Sequence, residues 1–357
     1  MYAPPKEFTN LDLEKMVDTN DAWITERTGI RARHIAEPRT PNSDLSVEAA
    51  RKALDDAGVD PAELDIVVVG TITPDMPFPS TACFLQMKIG ANRAYALDLS
   101  AACSGFVYSL STADALIRAG RGKKALVVGS EILSTVTDYT DRSTCILFGD
   151  GAGAFVLQAS ERPGGILATV MHSDGSGGSL LTLPAGGSRY PATEATLREN
   201  QHYIYMDGKE VFRFATKAMA QSTEEVLKLA GLTKNDVKII IPHQANSRII
   251  EAAARGLKLP MDKFFVNVDR YGNTSTASIP IATVEAVEKG RVQSGDKVVF
   301  VGFGAGLTWG ALVAEWTGPL PSPRKINVGR YRLWGRVRSL LHRFERFLEG
   351  IIWGRRA

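Results

Sequence analysis

Three short segments carry side chains that could act together on a thioester. LDLSAACSGF places Cys103 directly after an apolar run and at the start of a helix-forming one. IIIPHQAN puts His243 at the end of a β-branched run, and YGNTSTAS holds Asn273 in a turn. A thiolate at a helix start is stabilised by unpaired backbone N–H groups and the positive helix end, so Cys103 is predicted to have a lowered pKa and to be a nucleophile near neutral pH. Its small neighbours Ala101, Ala102, Ser104 and Gly105 permit a sharp turn and close substrate approach. Each residue also has an ordinary reading. Cys103 could be a core cysteine, His243 a structural residue at a strand mouth followed by a cap at Asn246 or Ser247, and Asn273 a simple Gly-Asn turn. Together, a cysteine, an imidazole and an amide can act on a thioester without metal or cofactor. Cys83 and Cys145 show no paired-ligand spacing, read as core cysteines, and suggest neither zinc nor a disulfide framework.

The elements that must position these groups come twice. AGVDPAELDIVVVG, Ala57 to Gly70, has the pattern of AGLTKNDVKIIIPH, Ala230 to His243: helix end, glycine stop, acidic turn, β-branched run. The stretch Ala94 to Arg121 parallels Phe264 to Arg291, which sets Cys103 opposite Asn273, and FGDGAGAFVL is echoed by GFGAGLTWGALV as a glycine-kinked hairpin. Strands such as IVVVG, ALVVG and VVFVG are near-continuously apolar, as in sheet covered by helices on both faces. The fold class is therefore α/β, with two pseudo-twofold-related halves whose strand ends meet at one cleft.

A chain of 357 residues at 44% hydrophobic and 23% charged is long enough for real cores and excludes disordered, collagenous and disulfide-scaffold classes. The start, MYAPPKEFTNLDLEKM, lacks a signal-peptide pattern, and no stretch has the uninterrupted apolar length to span a membrane, so a cytoplasmic location is expected. Net charge is +3, yet from Gly318 onward ten Lys and Arg face only Glu345 and Glu349, so that tail carries +8 and the first 317 residues −5. The basic balance belongs to the tail and does not point to nucleic acid. After the Pro-rich TGPLPSP, Val337, Leu340, Leu341, Phe344, Phe347, Leu348 and Ile351 recur at helical spacing between arginines. Residues 333–353 are predicted to form a basic amphipathic helix, lying on an anionic membrane surface or docked on the protein.

NDAWITERTGIRARHI, LDLSAACSGF, FGDGAGA, IPHQAN, GNTSTASIP and GFGAGLTWG, in this order across Tyr2 to Trp316, together resemble the β-ketoacyl-acyl carrier protein synthase III family of thiolase-fold condensing enzymes. The resemblance implies a layered α-β-α-β-α core with halves at 1–165 and 166–317; the linker and helix of 318–357 lie outside the usual family boundary. It implies a Cys103, His243, Asn273 triad that takes an acyl group from acyl-CoA and condenses it with malonyl-acyl carrier protein, with loss of CO2, to start fatty acid synthesis. Elongating relatives have a second histidine in place of Asn273, and thiolases a second cysteine in the last glycine loop, where this chain reads GFGAG.

The same resemblance implies an oxyanion site from the N–H groups of Cys103 and Gly306, and CoA binding by Trp23, Arg27, Arg142 and Asn246. Phe78 would close the acyl pocket from a partner subunit, implying a homodimer, with Leu133 and Phe212 lining the channel. Arg213, Arg248 and Arg255, with Lys209 and Lys217, would meet the acidic carrier protein. No cofactor or metal is implied. Family members begin with an apolar strand inside the first half's sheet, which is missing ahead of Tyr2 here. Two other readings are a relative acting in secondary metabolism and a non-catalytic scaffold held at membranes by the tail.

Overall fold

Alternation along short apolar runs decides the layering. In β3 (Ile66–Gly70), Ile66 and Val68 join one core cluster while Val67 and Val69 join another, because successive side chains leave opposite faces of a strand. The computed structural model describes residues 1–318. Its strands in chain order are β1 (Lys6–Thr9), β2 (Ala32–Ile35), β3, β4 (Tyr95–Leu99), β5 (Lys124–Glu131), β6 (Gly151–Gln158), β7 (Gly165–Ser173), β8 (Leu181–Thr182), β9 (Tyr205–Met206), β10 (Ile239–Pro242), β11 (Lys297–Gly304) and β12 (Thr308–Glu315).

Two four-stranded sheets form the body, in the orders β4-β3-β5-β6 and β10-β11-β12-β7. In each, parallel strands end in an antiparallel one: β3 is parallel to β4 and β5, and β6 runs against β5, while β10 is parallel to β11, and β12 runs against it. Between the sheets lie helices Gly105–Arg118 and Ser278–Glu288, which supply Phe106, Val107, Leu110, Ile279, Ala282 and Ala286 to a core shared with Ile66, Val127, Ile241 and Phe300. Helix Asn42–Ala57 covers the outer face of the first sheet, and helices Gly208–Leu229 and Ser247–Leu257 that of the second. The fold is the layered α/β arrangement expected. Burying each of these valines, leucines or isoleucines contributes about 1.5–3 kcal/mol, so the middle layer ties the halves together.

Three expectations change. The two central helices begin with matching turns, Ala102–Ser104 before Gly105 and Ser275–Ala277 before Ser278, with Ala102 at φ 45° and Ser275 at φ 46°. Cys103 is therefore opposite Thr276, not Asn273; counting along the sequence missed three residues of extra loop. FGDGAGAFVL is not a hairpin of its own: β6 pairs with β5 across a long excursion, whereas β11 and β12 join through the tight turn Ala305–Leu307. The outermost strand of a half is an edge rather than an inner strand. β7 covers β12 over eight positions, and the equivalent flank of β6 meets Tyr2 alone among the described residues, through Tyr2 N to Ala152 O at 2.7 Å and Ala152 N to Tyr2 O at 2.9 Å. The predicted helix at 333–353 lies outside the described residues.

Candidate active site

Cys103 sits in the turn that follows β4, against the end of β11: a Cβ at Gly304 would fall 2.6 Å from Cys103 N, so only glycine lets that strand approach. Asn273 is held by its backbone, N to Leu147 O at 2.8 Å and O from Gly149 N at 3.0 Å, and its Oδ1 accepts from Ser275 N at 2.8 Å. That geometry leaves the Asn273 amide nitrogen as the group available to a ligand. His243 follows β10, with its ring edge-on to Phe303 at 5.1 Å and Nδ1 2.6 Å from Ser278 Oγ. Ser278 Oγ is also 2.8 Å from Ser275 O. Both contacts are satisfied when Nδ1–H donates to Ser278 and Ser278 donates to Ser275, which leaves a lone pair on Nε2.

Ser275 thus joins the three residues. Its N–H binds Asn273, its carbonyl is linked through Ser278 to His243, and its buried hydroxyl lies against the Cys103 thiol without a well-formed hydrogen bond.

The electrostatics reverse one expectation. Burial pushes the Cys103 thiol up to about 12, and the Ser275 hydroxyl offsets only part of this. The helix-end field acts on a thiol that is only 7% exposed, where loss of hydration outweighs it. Burial also pushes His243 down to about 3, so its imidazole is neutral. Burial thus favours the neutral form of both the Cys103 thiol and the His243 imidazole.

Around this centre, the Arg27 and Arg142 guanidinium carbons each lie 5.0 Å from the Trp23 ring centroid, an exposed cationic and aromatic cluster. Arg142 Nη1 donates to Asp18 O at 3.1 Å. Asn246 caps helix Ser247–Leu257 by accepting from Arg248 N at 2.8 Å and donates from Nδ2 to Arg27 O at 3.0 Å, connecting that cluster to His243's loop. Phe78 is 84% exposed. Leu133 is buried in the cluster that Trp23 packs against, while Phe212 belongs to another and lies under Arg248 at 6.0 Å. Arg213 pairs with Glu210 at 3.1 Å and Arg255 with Glu251 at 4.0 Å, both on exposed helix faces. Gly306 occupies the turn between β11 and β12 at φ 134°, open to glycine.

Sequence reasoning missed five residues, Ser275 among them. Arg33 is fully buried with no carboxylate partner among the described residues and donates to Phe8 O at 3.3 Å, Asn10 Oδ1 at 2.8 Å and Ile146 O at 2.6 Å. A Cβ at Gly149 or Gly272 would meet Arg33 Cβ at 3.0 and 3.2 Å, so it underlies the loops that hold Asn273. Ser278, Thr276 and Glu131 are the others.

Comparison with known proteins decides the family. Residues 97–175 match 3-oxoacyl-[acyl-carrier-protein (ACP)] synthase III, and residues 227–316 match its C-terminal part. A β-ketoacyl-[acyl-carrier-protein] synthase III of Desulfitobacterium hafniense strain Y51 is 54% identical over 316 residues, 88% of this chain and 96% of that one. The chain belongs to the β-ketoacyl-acyl carrier protein synthase III family. It is accordingly a thiolase-fold condensing enzyme, an acyltransferase. The crystal structure of 3-oxoacyl-[acyl-carrier-protein] synthase III from Aquifex aeolicus VF5 superposes with a TM-score of 0.82 at 47% identity, covering 88% of this chain and 97% of that one. The priming β-ketosynthase of the R1128 polyketide pathway superposes with a TM-score of 0.82 at 38% identity, covering 89% and 94%. Among the described residues no helix is long and apolar enough to cross a membrane.

Proposed function

We propose that this enzyme carries an acyl group from acyl-CoA on Cys103 and condenses it with malonyl-acyl carrier protein, releasing CO2. The observation that carries the reading is Ser275, whose N–H and carbonyl tie Asn273 and, through Ser278, His243 by hydrogen bonds, and whose hydroxyl lies against Cys103. Because the thiol rests protonated, acylation needs a base. His243 Nε2 takes the thiol proton as sulfur attacks the acyl carbonyl, and returns it to the departing CoA sulfur. The oxyanion forms against backbone N–H groups, with Cys103 and Gly306 as donors.

Malonyl then loses its carboxylate as CO2, and the electron pair left behind forms an enolate. Asn273 Nδ2 donates to the enolate oxygen, joined by neutral His243 as its Nε2–H tautomer, reached when Nδ1 gives its proton to solvent, Nε2 takes one from solvent and the Ser278 hydroxyl turns toward Nδ1. The carbanion attacks the thioester, and the Cys103 sulfur leaves as a thiolate that takes a proton from water. Trp23 and Arg27 supply flat stacking faces for adenine, Arg142 a phosphate contact, and Asn246 the tie between them and the catalytic loop. Phe78, too exposed for an isolated subunit's core, closes the acyl pocket of a second copy in a homodimer, and Leu133 and Phe212 line the channel. Arg213, Arg248 and Arg255 attract the acidic carrier protein. The reaction needs no cofactor and belongs in the cytoplasm.

Intact-mass measurement after incubation with acetyl- to dodecanoyl-CoA, straight and branched, tests this. One acyl adduct is expected, absent in Cys103→Ala and retained in Asn273→Ala, which should fail only in condensation. An adduct that survives Cys103→Ala, or a folded Asn273→Ala that does not acylate, would refute the assignment. The length and branching that label best identify the starter.

A further inference from the structure

Glu131 ends β5 as a fully buried carboxyl group that no Lys, Arg or His pairs with among the described residues. Burial without a cation raises its pKa, against the hydrogen bonds it receives.

Counting protons locates the one it keeps. Oε2 receives Thr73 Oγ1 at 2.6 Å and Thr71 Oγ1, Ile72 N and Thr73 N at 3.1 Å, and the Ile72 N–H is shared with Oε1 at 3.3 Å. The Thr71 and Thr73 hydroxyls are free to donate because they already accept, Thr71 from Asn42 Nδ2 at 3.0 Å and Thr73 from Ile132 N at 2.9 Å. Oε2 is therefore an acceptor. Oε1 faces Thr276 Oγ1 at 2.8 Å, and the same hydroxyl is 2.8 Å from Ala102 O. Thr276 has one proton for two oxygens. Both contacts are satisfied only when Oε1–H donates to Thr276, and Thr276 donates to Ala102 O.

Ala102 O belongs to the same peptide group as Cys103 N–H. A hydrogen bond accepted at a carbonyl polarises the peptide and makes its N–H a stronger donor. Thr276 is locked for this task by glycines on three sides: a Cβ at Gly129, Gly70 or Gly105 would come within 2.5, 2.8 or 2.9 Å of its carbonyl oxygen, methyl or hydroxyl. We propose that neutral Glu131 and Thr276 form a relay, Oε1–H to Oγ1–H to Ala102 O, that strengthens Cys103 N–H as an oxyanion donor. Both are positioning residues, acting through the Ala102–Cys103 peptide. The inference rests on the reading that Cys103 is acylated.

The test uses the full chain and the acyl-CoA that best labels the wild type, carrying a ¹³C-labelled carbonyl. Infrared difference spectra report the thioester carbonyl of the acyl-enzyme, and steady-state kinetics report kcat and KM for CoA release. Thr276→Val, nearly the same shape, should raise the carbonyl frequency and lower kcat roughly two- to eightfold, the share that polarising one bond adds to an oxyanion donor, with KM unchanged. Thr276→Ser should restore both. Glu131→Gln should also keep both near wild type, since its amide nitrogen donates to Thr276 and its oxygen accepts at the Oε2 position. An unchanged carbonyl frequency in Thr276→Val overturns the relay. A Glu131→Gln frequency shifted upward overturns it independently, whether or not the valine variant folds, because it would show that an anion is required. Failure of wild type to form any Cys103 adduct would instead strike the proposed function.

Discussion

Whether the nucleophile rests as thiol or thiolate can be read from the pH dependence of alkylation. For a thiol near 12, the thiolate fraction rises tenfold per pH unit throughout the stable range. Between pH 8 and 10 the iodoacetamide rate at Cys103 should therefore rise about a hundredfold, whereas an ordinary cysteine with a pKa of about 8.5 would rise only about fourfold and level off. Steric burial scales all rates together and leaves this ratio untouched. The assay is timed quenching followed by peptide mass spectrometry. Cys83, exposed rather than in the core as its sequence suggests, reports in the same digest that the reagent is active, and a melting curve at each pH confirms the fold. His243→Ala should leave the alkylation ratio unchanged, since a histidine near 3 forms no resting ion pair, yet acyl transfer from CoA should fall by roughly 10²- to 10⁴-fold as the base is lost. A plateau in Cys103 alkylation below pH 9 would refute this account and restore the helix-stabilised thiolate.

Two further outcomes follow from the packing and the surface. Gly304→Ala should remove most Cys103 acylation and lower the melting temperature, because its Cβ would fall 2.6 Å from Cys103 N with backbone on the opposing side; a variant acylated at the wild-type rate would show that β11 does not fix the nucleophile. Arg248→Glu should slow condensation with malonyl-carrier protein in a salt-sensitive way and spare the CoA half-reaction, measured separately by stopped turnover; equal loss in both would remove Arg248 from the carrier surface.

The layers were legible because strand alternation is local: IVVVG announces a doubly covered strand, and Val67 and Val68 do take opposite faces. Cys103 and His243 were legible as types at strand ends, whereas Asn273 follows the short helix Val268–Tyr271. Their state was not. A helix-end field can be read from LDLSAACSGF, but the desolvation that dominates Cys103 is set by β11 and the Ser275 turn, far along the chain. Glu131 was invisible for the same reason, reading as the charged end of a strand, while its partner Thr276 lies 145 residues away. Arg33 sits in a run of charges, RTGIRARHI, that reads as solvated surface, and only the fold turns it inward onto three oxygens. The pairing of Cys103 with Asn273 failed because the repeat's loops differ by three residues, a difference that only the matched turns at Ala102 and Ser275 make visible.

The shared middle layer also sets the order of events at the ribosome. Ile66, Val68, Phe106 and Val127 of the first half rest on Ile241, Ile279, Phe300 and Leu312 of the second. When Gln158 at the end of β6 has been synthesised, the inner face of the first sheet and the helix on it have no cover, and β12 ends only at Glu315. At bacterial elongation rates that interval is roughly 8–30 s, during which a large apolar surface waits for residues not yet made. Nascent chains stalled before Ser278 should accordingly be held by chaperones or aggregate, and the nucleophile's turn can reach its final shape only after the last hairpin has closed over it.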